Sequence, residues 1–293
     1  MSVSFASRSC VVALFVMTAA PSVAGAADLP EAGAPPSSAP FAPASAPDWT
    51  VTVGGEFRLI PAWPGAPTTT FGYTGLPLIS IRQAGTPPLF FGERDGFGFP
   101  IINLDQIKIG PAFTLIWQRI GSSYAQLNGL NDVNFALQAG GFIELWPVPW
   151  LRLRTELRQG IGGEKGVTGD AYLDAVVPFG QFRWSGGPRV TAQSSAAVSP
   201  YFSITAAEAA AANMTAGQPP LTPYNASGGL YSWGAGTKLE YFFNPTWEAH
   251  VFAEYQRLTG SVADSPLVTE RGSPNQLILG VGATYSFNMQ PLW

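Results

Sequence analysis

Charge is scarce in this chain, thiols are nearly absent, and no apolar run is long enough to make a membrane helix. Of the 293 residues, 12% are charged, roughly half the ~25% of an ordinary soluble domain. Nothing after the amino terminus approaches the roughly 18 consecutive apolar residues that cross a bilayer as a helix. The single cysteine, Cys10, precedes the apolar run from Val11 to Ala20. A lipoprotein anchor needs its cysteine at the cleavage point, so that reading is excluded. Arg8 ahead of the run and Ala24-Gly25-Ala26 after it make residues 1–26 a secretory signal peptide by pattern. Its removal leaves a chain with no thiol and no disulfide. A formal charge of −4 argues against nucleic acid, which needs clustered Lys and Arg. One histidine and no mature cysteine leave no metal-ligand set, and no cofactor is expected.

What the chain has in quantity is alternation. From Gln276 onward, Leu277, Leu279, Val281, Ala283, Tyr285 and Phe287 fall on one face, with small or polar residues between them. Trp247, Ala249, Val251, Ala253 and Tyr255 repeat the pattern against Glu248, His250, Phe252, Glu254 and Gln256. Side chains of a strand alternate between its faces, so each segment is a strand with one greasy side. Aromatics bound the greasy faces as girdle residues do at a membrane interface. A strand in lipid must be paired on both edges, which makes a closed barrel the economical reading. A secreted soluble sandwich is the alternative.

Residues 27–47 are rich in Pro and Ala and read as a flexible leader. The barrel spans residues 48–293 as one series of alternating segments. Strands are expected at Val51 to Leu59, Leu76 to Arg82, Ile107 to Gln118, Val133 to Leu145, Leu151 to Arg158, Ala171 to Phe182, Arg189 to Thr205 and Tyr231 to Phe243, before the two already named. Leu89 to Ile102 is strand-like but broken at Arg94-Asp95-Gly96, a turn or a kink. Asn244-Pro245-Thr246 and Ser185-Gly186-Gly187 look like periplasmic turns. The alanine run Ala206–Met214 predicts one short helix inside an extracellular loop, Thr205 to Ser227. The expected fold is all-β: a transmembrane, antiparallel, up-and-down barrel of about twelve strands, with ten possible.

By parity, Glu56, Arg58, Lys108, Glu144, Arg152, Arg154, Glu156, Arg158, Asp174, Lys238, Glu240, Glu248, His250 and Glu254 point into the lumen. They fit either a selectivity ring in a pore or a self-paired network filling a narrow barrel, because an isolated buried charge is costly. Arg152, Arg154 and Arg158 on one strand fit an anionic ligand or, again, neighbouring carboxylates. His250 is the only base available to a Ser–His–acid hydrolase, and no GxSxG elbow accompanies it. The run Gly160 to Gly166 lacks the ending of a phosphate loop and reads as a hairpin connection.

Several stretches together resemble the MltA-interacting protein family, MipA/OmpV, of Gram-negative outer membranes. They are Ala263-Asp264-Ser265-Pro266-Leu267-Val268, Glu270-Arg271-Gly272-Ser273, Gln276, and the closing Gly280 to Phe287. Earlier matches are Arg158 to Gly163, Gly129-Leu130-Asn131-Asp132, Phe90-Phe91 to Asp95-Gly96, and Tyr201-Phe202 ahead of the alanine run. The leader is longer than the family's, and Asn288 to Trp293 extends past the usual terminal aromatic. Either Phe287 or Trp293 is then the assembly signal. The resemblance implies an outer-membrane location, contact with lipid and lipopolysaccharide, and no enzymatic activity. It also implies a scaffold between a murein lytic transglycosylase and a penicillin-binding protein; a narrow pore, or a surface barrel for adhesion or stress response, is the alternative. The Gly260 to Pro274 loop is expected to fold over the barrel mouth and pair Asp264 or Glu270 with a lumen arginine such as Arg154 or Arg158.

Overall fold

One long antiparallel sheet, curled on itself, accounts for nearly all the regular structure. In this computed structural model the described residues are 49–73, 78–83, 90, 92 and 94–289. The expected signal peptide and leader, and Trp293, lie outside them. The strands are β1 (Trp49–Pro61), β2 (Thr69–Tyr73), β3 (Leu78–Gln83), β4 (Phe97–Gly98), β5 (Ile102–Asn103), β6 (Ile107–Ile116), β7 (Ala136–Val148), β8 (Leu151–Gly162), β9 (Val167–Phe179), β10 (Phe182–Gln193), β11 (Gly229–Phe242), β12 (Trp247–Leu258) and β13 (Asn275–Met289). From β6 to β13 each pairs with its sequence neighbour, and β13 then pairs with β1. This is an up-and-down order in which the first and last long strands meet, Trp49 opposite Met289. β2 and β3 run along successive halves of β1, and β4 and β5 along β6. The sheet therefore has eleven to thirteen strands, depending on whether those halves count singly, a range that includes twelve and leaves ten too few.

Parity decides what each strand shows to lipid. Phe57 is 71% exposed and Leu157 64% exposed, whereas their neighbours Glu56, Glu156 and Arg158 are buried. Aromatics gather where the apolar band ends: Phe179, Phe182, Tyr241 and Phe243 form a chain of ring contacts, and Trp247, Tyr285 and Phe287 form another. Such girdles mark a bilayer boundary. No described helix is long and apolar enough to cross a membrane; the strands do the crossing.

The two ends differ. At one end the connections are tight: residues 149–150, 180–181 and 243–246. The Asn244 side chain closes the last by accepting from the N–H groups of Thr246 and Trp247. At the other end, residues 117–135, 194–228 and 259–274 form long loops. Short turns face the periplasm and long loops the outside in barrels of this kind, so β13 ends in the periplasm.

Several sequence expectations need correction here. Ser185-Gly186-Gly187 is not a turn; it lies within β10, and Gly180-Gln181 makes the turn, with Gly180 at φ 59°. Gly187 is required instead by close approach, because a Cβ there would overlap the Leu173 carbonyl of β9. β7 does not stop at Trp146-Pro147 but continues through an irregularity to Val148, a place where proline is tolerated. The expected strand Arg189 to Thr205 ends at Gln193, and Ser195–Phe202 folds as helix α1. Its Ala197, Val198, Tyr201 and Phe202 are all buried, a spacing that suits one helical face and no strand face. The alanine run is helix α2 (Ala206–Ala212), and α3 (Gly260–Ala263) and α4 (Pro266–Arg271) follow in the last loop. The long loops thus hold four short α-helices and two single 3-10 turns, Gly121–Ser123 and Ala125–Leu127, among the described residues, where one helix was expected.

Candidate functional site

The lumen wall is richest in charge on β8, whose alternation places Arg152, Arg154, Glu156 and Arg158 inward. Pairing with β9 sets Asp174 beside Arg152 and Asp170 beside Glu156; pairing with β7 sets Glu144 beside Arg154. Arg152 is completely buried and meets three carboxylates: Asp95 at 2.5 Å, Glu144 at 2.9 Å and Asp174 at 3.0 Å. Arg154 meets Glu156 at 2.7 Å and Glu144 at 3.2 Å. Arg158 pairs with Glu156 and, at 2.5 Å, with Asp170. Lys108 reaches Glu144 at 3.3 Å, and Arg189 reaches Asp174 at 2.6 Å. Burying charges this way is tolerable only because each meets an opposite charge and further hydrogen bonds.

The facing wall carries smaller groups of the same kind. Arg183 forks onto Glu240, and Lys238 lies 3.1 Å from the same carboxylate. Glu56 pairs with Arg58 at 2.5 Å and with His250 Nε2 at 3.0 Å. The other imidazole nitrogen meets Glu248 at 3.0 Å, and Thr284 donates to that carboxylate at 3.0 Å. Both ring nitrogens are thereby occupied, which leaves His250 no free nitrogen for a general base. Gly280 and Gly282 of β13 make the room, since a Cβ at either would overlap the ring of Phe252 or of His250.

Sequence parity therefore brings all fourteen named lumen residues together, and it misses several others. Asp170, Arg183 and Arg189 share the same parity and could have been read from it. Arg94 and Asp95 could not. They enter the lumen from the segment before β4, where Gly96 N–H donates to Glu156 at 3.2 Å and Arg94 lies 3.3 Å from Glu254. Phe90 stacks beneath Arg152 and Arg183 and edges onto Trp146. Between these walls lies a cavity of about 900 Å³ that extends to the periplasmic turn Asn244–Trp247.

Above the cavity the chemistry changes to an apolar lid. Trp63, Leu127, Leu130, Ile204, Ala209, Ala212, Leu221 and Leu267 form one buried cluster. Val133, Val198, Tyr201, Phe202, Leu258, Val262 and Val268 form a second. The Gly260 to Pro274 loop joins both, so it folds over the mouth, but Asp264 and Glu270 do not pair with Arg154 or Arg158. Both acids are exposed, and the lumen arginines are already engaged below. Ser265 and Arg271 tie the loop down instead. Ser265 caps α4, with Pro266 in its first turn, and donates to the Phe202 carbonyl at 2.7 Å. Arg271 is buried and donates to the carbonyls of Pro219, Gln126 and Ala212 at 2.7–3.2 Å. Gly272 lies against the Gly65 carbonyl, where a Cβ would overlap it. Glu208 closes a capping box on Thr205 and accepts from Asn131 N–H. Burial alone would raise its pKa, but those hydrogen bonds bring it below the ordinary carboxylate value.

Residues 53–287 match the family described as MltA-interacting protein MipA. The chain belongs to that family. This MipA-family chain is an outer-membrane β-barrel of a Gram-negative envelope. No curated protein matches it. Among solved structures it is similar to the NanC porin, at 9% identity over 80% of this chain and 98% of that one, with a TM-score of 0.36. It is similar also to an outer membrane channel from Pseudomonas putida F1, at 11% identity over 84% and 97% with a TM-score of 0.40. A loop-deletion mutant of OmpT from Vibrio cholerae gives 8% identity over 82% and 98% with a TM-score of 0.34.

Proposed function

We propose that this MipA-family barrel is a non-enzymatic scaffold that holds a murein lytic transglycosylase, with its penicillin-binding partner, at the inner face of the outer membrane. The observation that carries this reading is the family itself, whose namesake interacts with MltA. Two features of the barrel support it. The lumen charges are spent on one another, and the apolar lid covers the outer end, which leaves the periplasmic end as the accessible one. His250, held between two carboxylates, serves the wall and not a reaction.

Affinity capture from native envelopes in mild detergent tests the reading. Recovery of a lytic transglycosylase, lost when the periplasmic turns are replaced, is the expected result. Preparations free of murein enzymes across several detergents would overturn it. A narrow pore is the second reading, supported by the cavity of about 900 Å³. Planar-bilayer recording separates the two, since a lidded lumen gives little steady conductance and a pore gives discrete open levels.

A further inference from the structure

The outward face of the long strands, β1 and β6 to β13, carries a single charged side chain among the described residues. It is Arg257, the last outward residue of β12 before the 259–274 loop, so it stands at the extracellular edge. Strand register fixes its neighbours. Trp233 of β11 lies opposite it on one side and Asn275 of β13 on the other. Adjacent strands run about 5 Å apart, and all three side chains are exposed. They form one row facing the membrane.

This row offers donors and holds no anion. Arg257 Nη1 donates to Asn275 Oδ1 at 2.9 Å, and the Tyr255 hydroxyl donates to the same oxygen at 2.7 Å. With two donors on Oδ1, the amide's Nδ2 is turned away from them and keeps its N–H groups to give. The rest of the guanidinium and the Trp233 indole N–H meet no acceptor among the described residues, and no carboxylate there pairs with Arg257. Toward the periplasm the face becomes apolar. Ala235, Tyr255 and Leu277 make the next outward row, and Leu239, Val251 and Val281 a later one. An arginine among acyl chains is costly, whereas one at headgroup level is not. Donors above hydrocarbon match an amphiphile with an anionic head, and a guanidinium fork suits phosphate.

We propose that Trp233, Arg257 and Asn275 form a binding site for a phosphate of lipid A, whose acyl chains lie along the apolar rows below. The long loops put this edge in the outer leaflet, where lipopolysaccharide is the anionic lipid. The site rests on strand register at the membrane boundary and is independent of the scaffold reading.

Native mass spectrometry of the refolded barrel in mild detergent tests the site. The probes are bisphosphorylated lipid A, the same lipid dephosphorylated, and dioleoyl phosphatidylglycerol. The wild type should bind bisphosphorylated lipid A at least about ten-fold more tightly than either other lipid. Arg257→Gln, checked for folding by heat-modifiable gel mobility, should lose most of that preference. Lys165→Gln, at an exposed cation of the β8–β9 hairpin, should leave it unchanged. Undiminished preference in folded Arg257→Gln would overturn the proposal. So would a wild type that binds the dephosphorylated lipid or phosphatidylglycerol as tightly as lipid A, a result that needs no variant.

Discussion

The β8 wall and the lid above it are both closed to water, and they reach that state by opposite means. The wall buries Arg152 completely and surrounds it with Asp95, Glu144 and Asp174. The lid buries Leu127, Ala212 and Leu267 just as completely, with carbon against carbon. Even its buried arginines, Arg119 and Arg271, donate their hydrogen bonds to backbone carbonyls. A wall built from charge is intolerant of losing one partner, because the remaining charges cannot be rehydrated. A lid built from apolar contact loses stability in proportion to the volume removed. Removing single groups from each region should separate these behaviours.

The largest effect is expected at Arg152→Met, which leaves three buried carboxylates short of a cation. The cost should be about 3–5 kcal/mol, read as a lower urea midpoint for the refolded barrel. A cost under about 1 kcal/mol would mean that water or protonation compensates, and that the wall is not a coupled network. Next comes Leu267→Ala, at the centre of the lid. A buried leucine truncation costs about 2–5 kcal/mol, but here the loss should stay local. Protease added to whole cells should cut residues 194–228 or 259–274 faster, while the barrel's urea midpoint shifts less than in Arg152→Met. Equal shifts in both variants would show that lid and wall unfold as one unit. Smaller again is Gly280→Val, which sets a side chain against the Phe252 ring. Overpacking of this kind costs about 1–3 kcal/mol, and Phe252→Ala in the same chain should recover part of it. Failure to recover would place the strain elsewhere.

The same contrast explains what could be read in advance. A strand repeats every two residues, so the inward set from Glu56 to Glu254 followed from parity alone, and with it the presence of a polar lumen. Ser185-Gly186-Gly187 misled because glycine serves turns and close strand approach alike, and only the neighbouring Leu173 carbonyl distinguishes them. α1 was hidden because Ala196 to Tyr201 continues the small and apolar run of β10, and the helix forms through burial in the lid. Arg94 and Asp95 were beyond reach for a different reason. They lie on no ladder, so no period places them, and their position depends on wall charges far away in sequence. The error at Asp264 and Glu270 has that origin too. Complementary charge was visible, but the prior pairing of Arg154 and Arg158 by Glu156, Glu144 and Asp170 was not.

The smallest effect is expected where the lid does use a charge, at Glu208. Its carboxylate accepts from Thr205 N–H at 2.9 Å and from Asn131 N–H at 3.0 Å, joining α2 to the 117–135 loop. These bonds favour the ionised form and lower the pKa from its ordinary value of 4.5. A carboxylate with a lowered folded-state pKa stabilises fully above its unfolded value and loses that contribution as pH falls through the folded one. External proteolysis of the lid should therefore be unchanged from pH 7 down to about 5 and quicken only below the ordinary carboxylate range. Glu208→Gln keeps the shape, weakens the acceptor, and should cost about 1 kcal/mol at pH 7, with little further change in acid. Pepsin, active at low pH, can report the acid limb, and a neutral protease the other. An acid-quickened cut in Glu208→Gln as steep as in the wild type would assign the transition to another group, and would make the lid apolar in its energetics throughout.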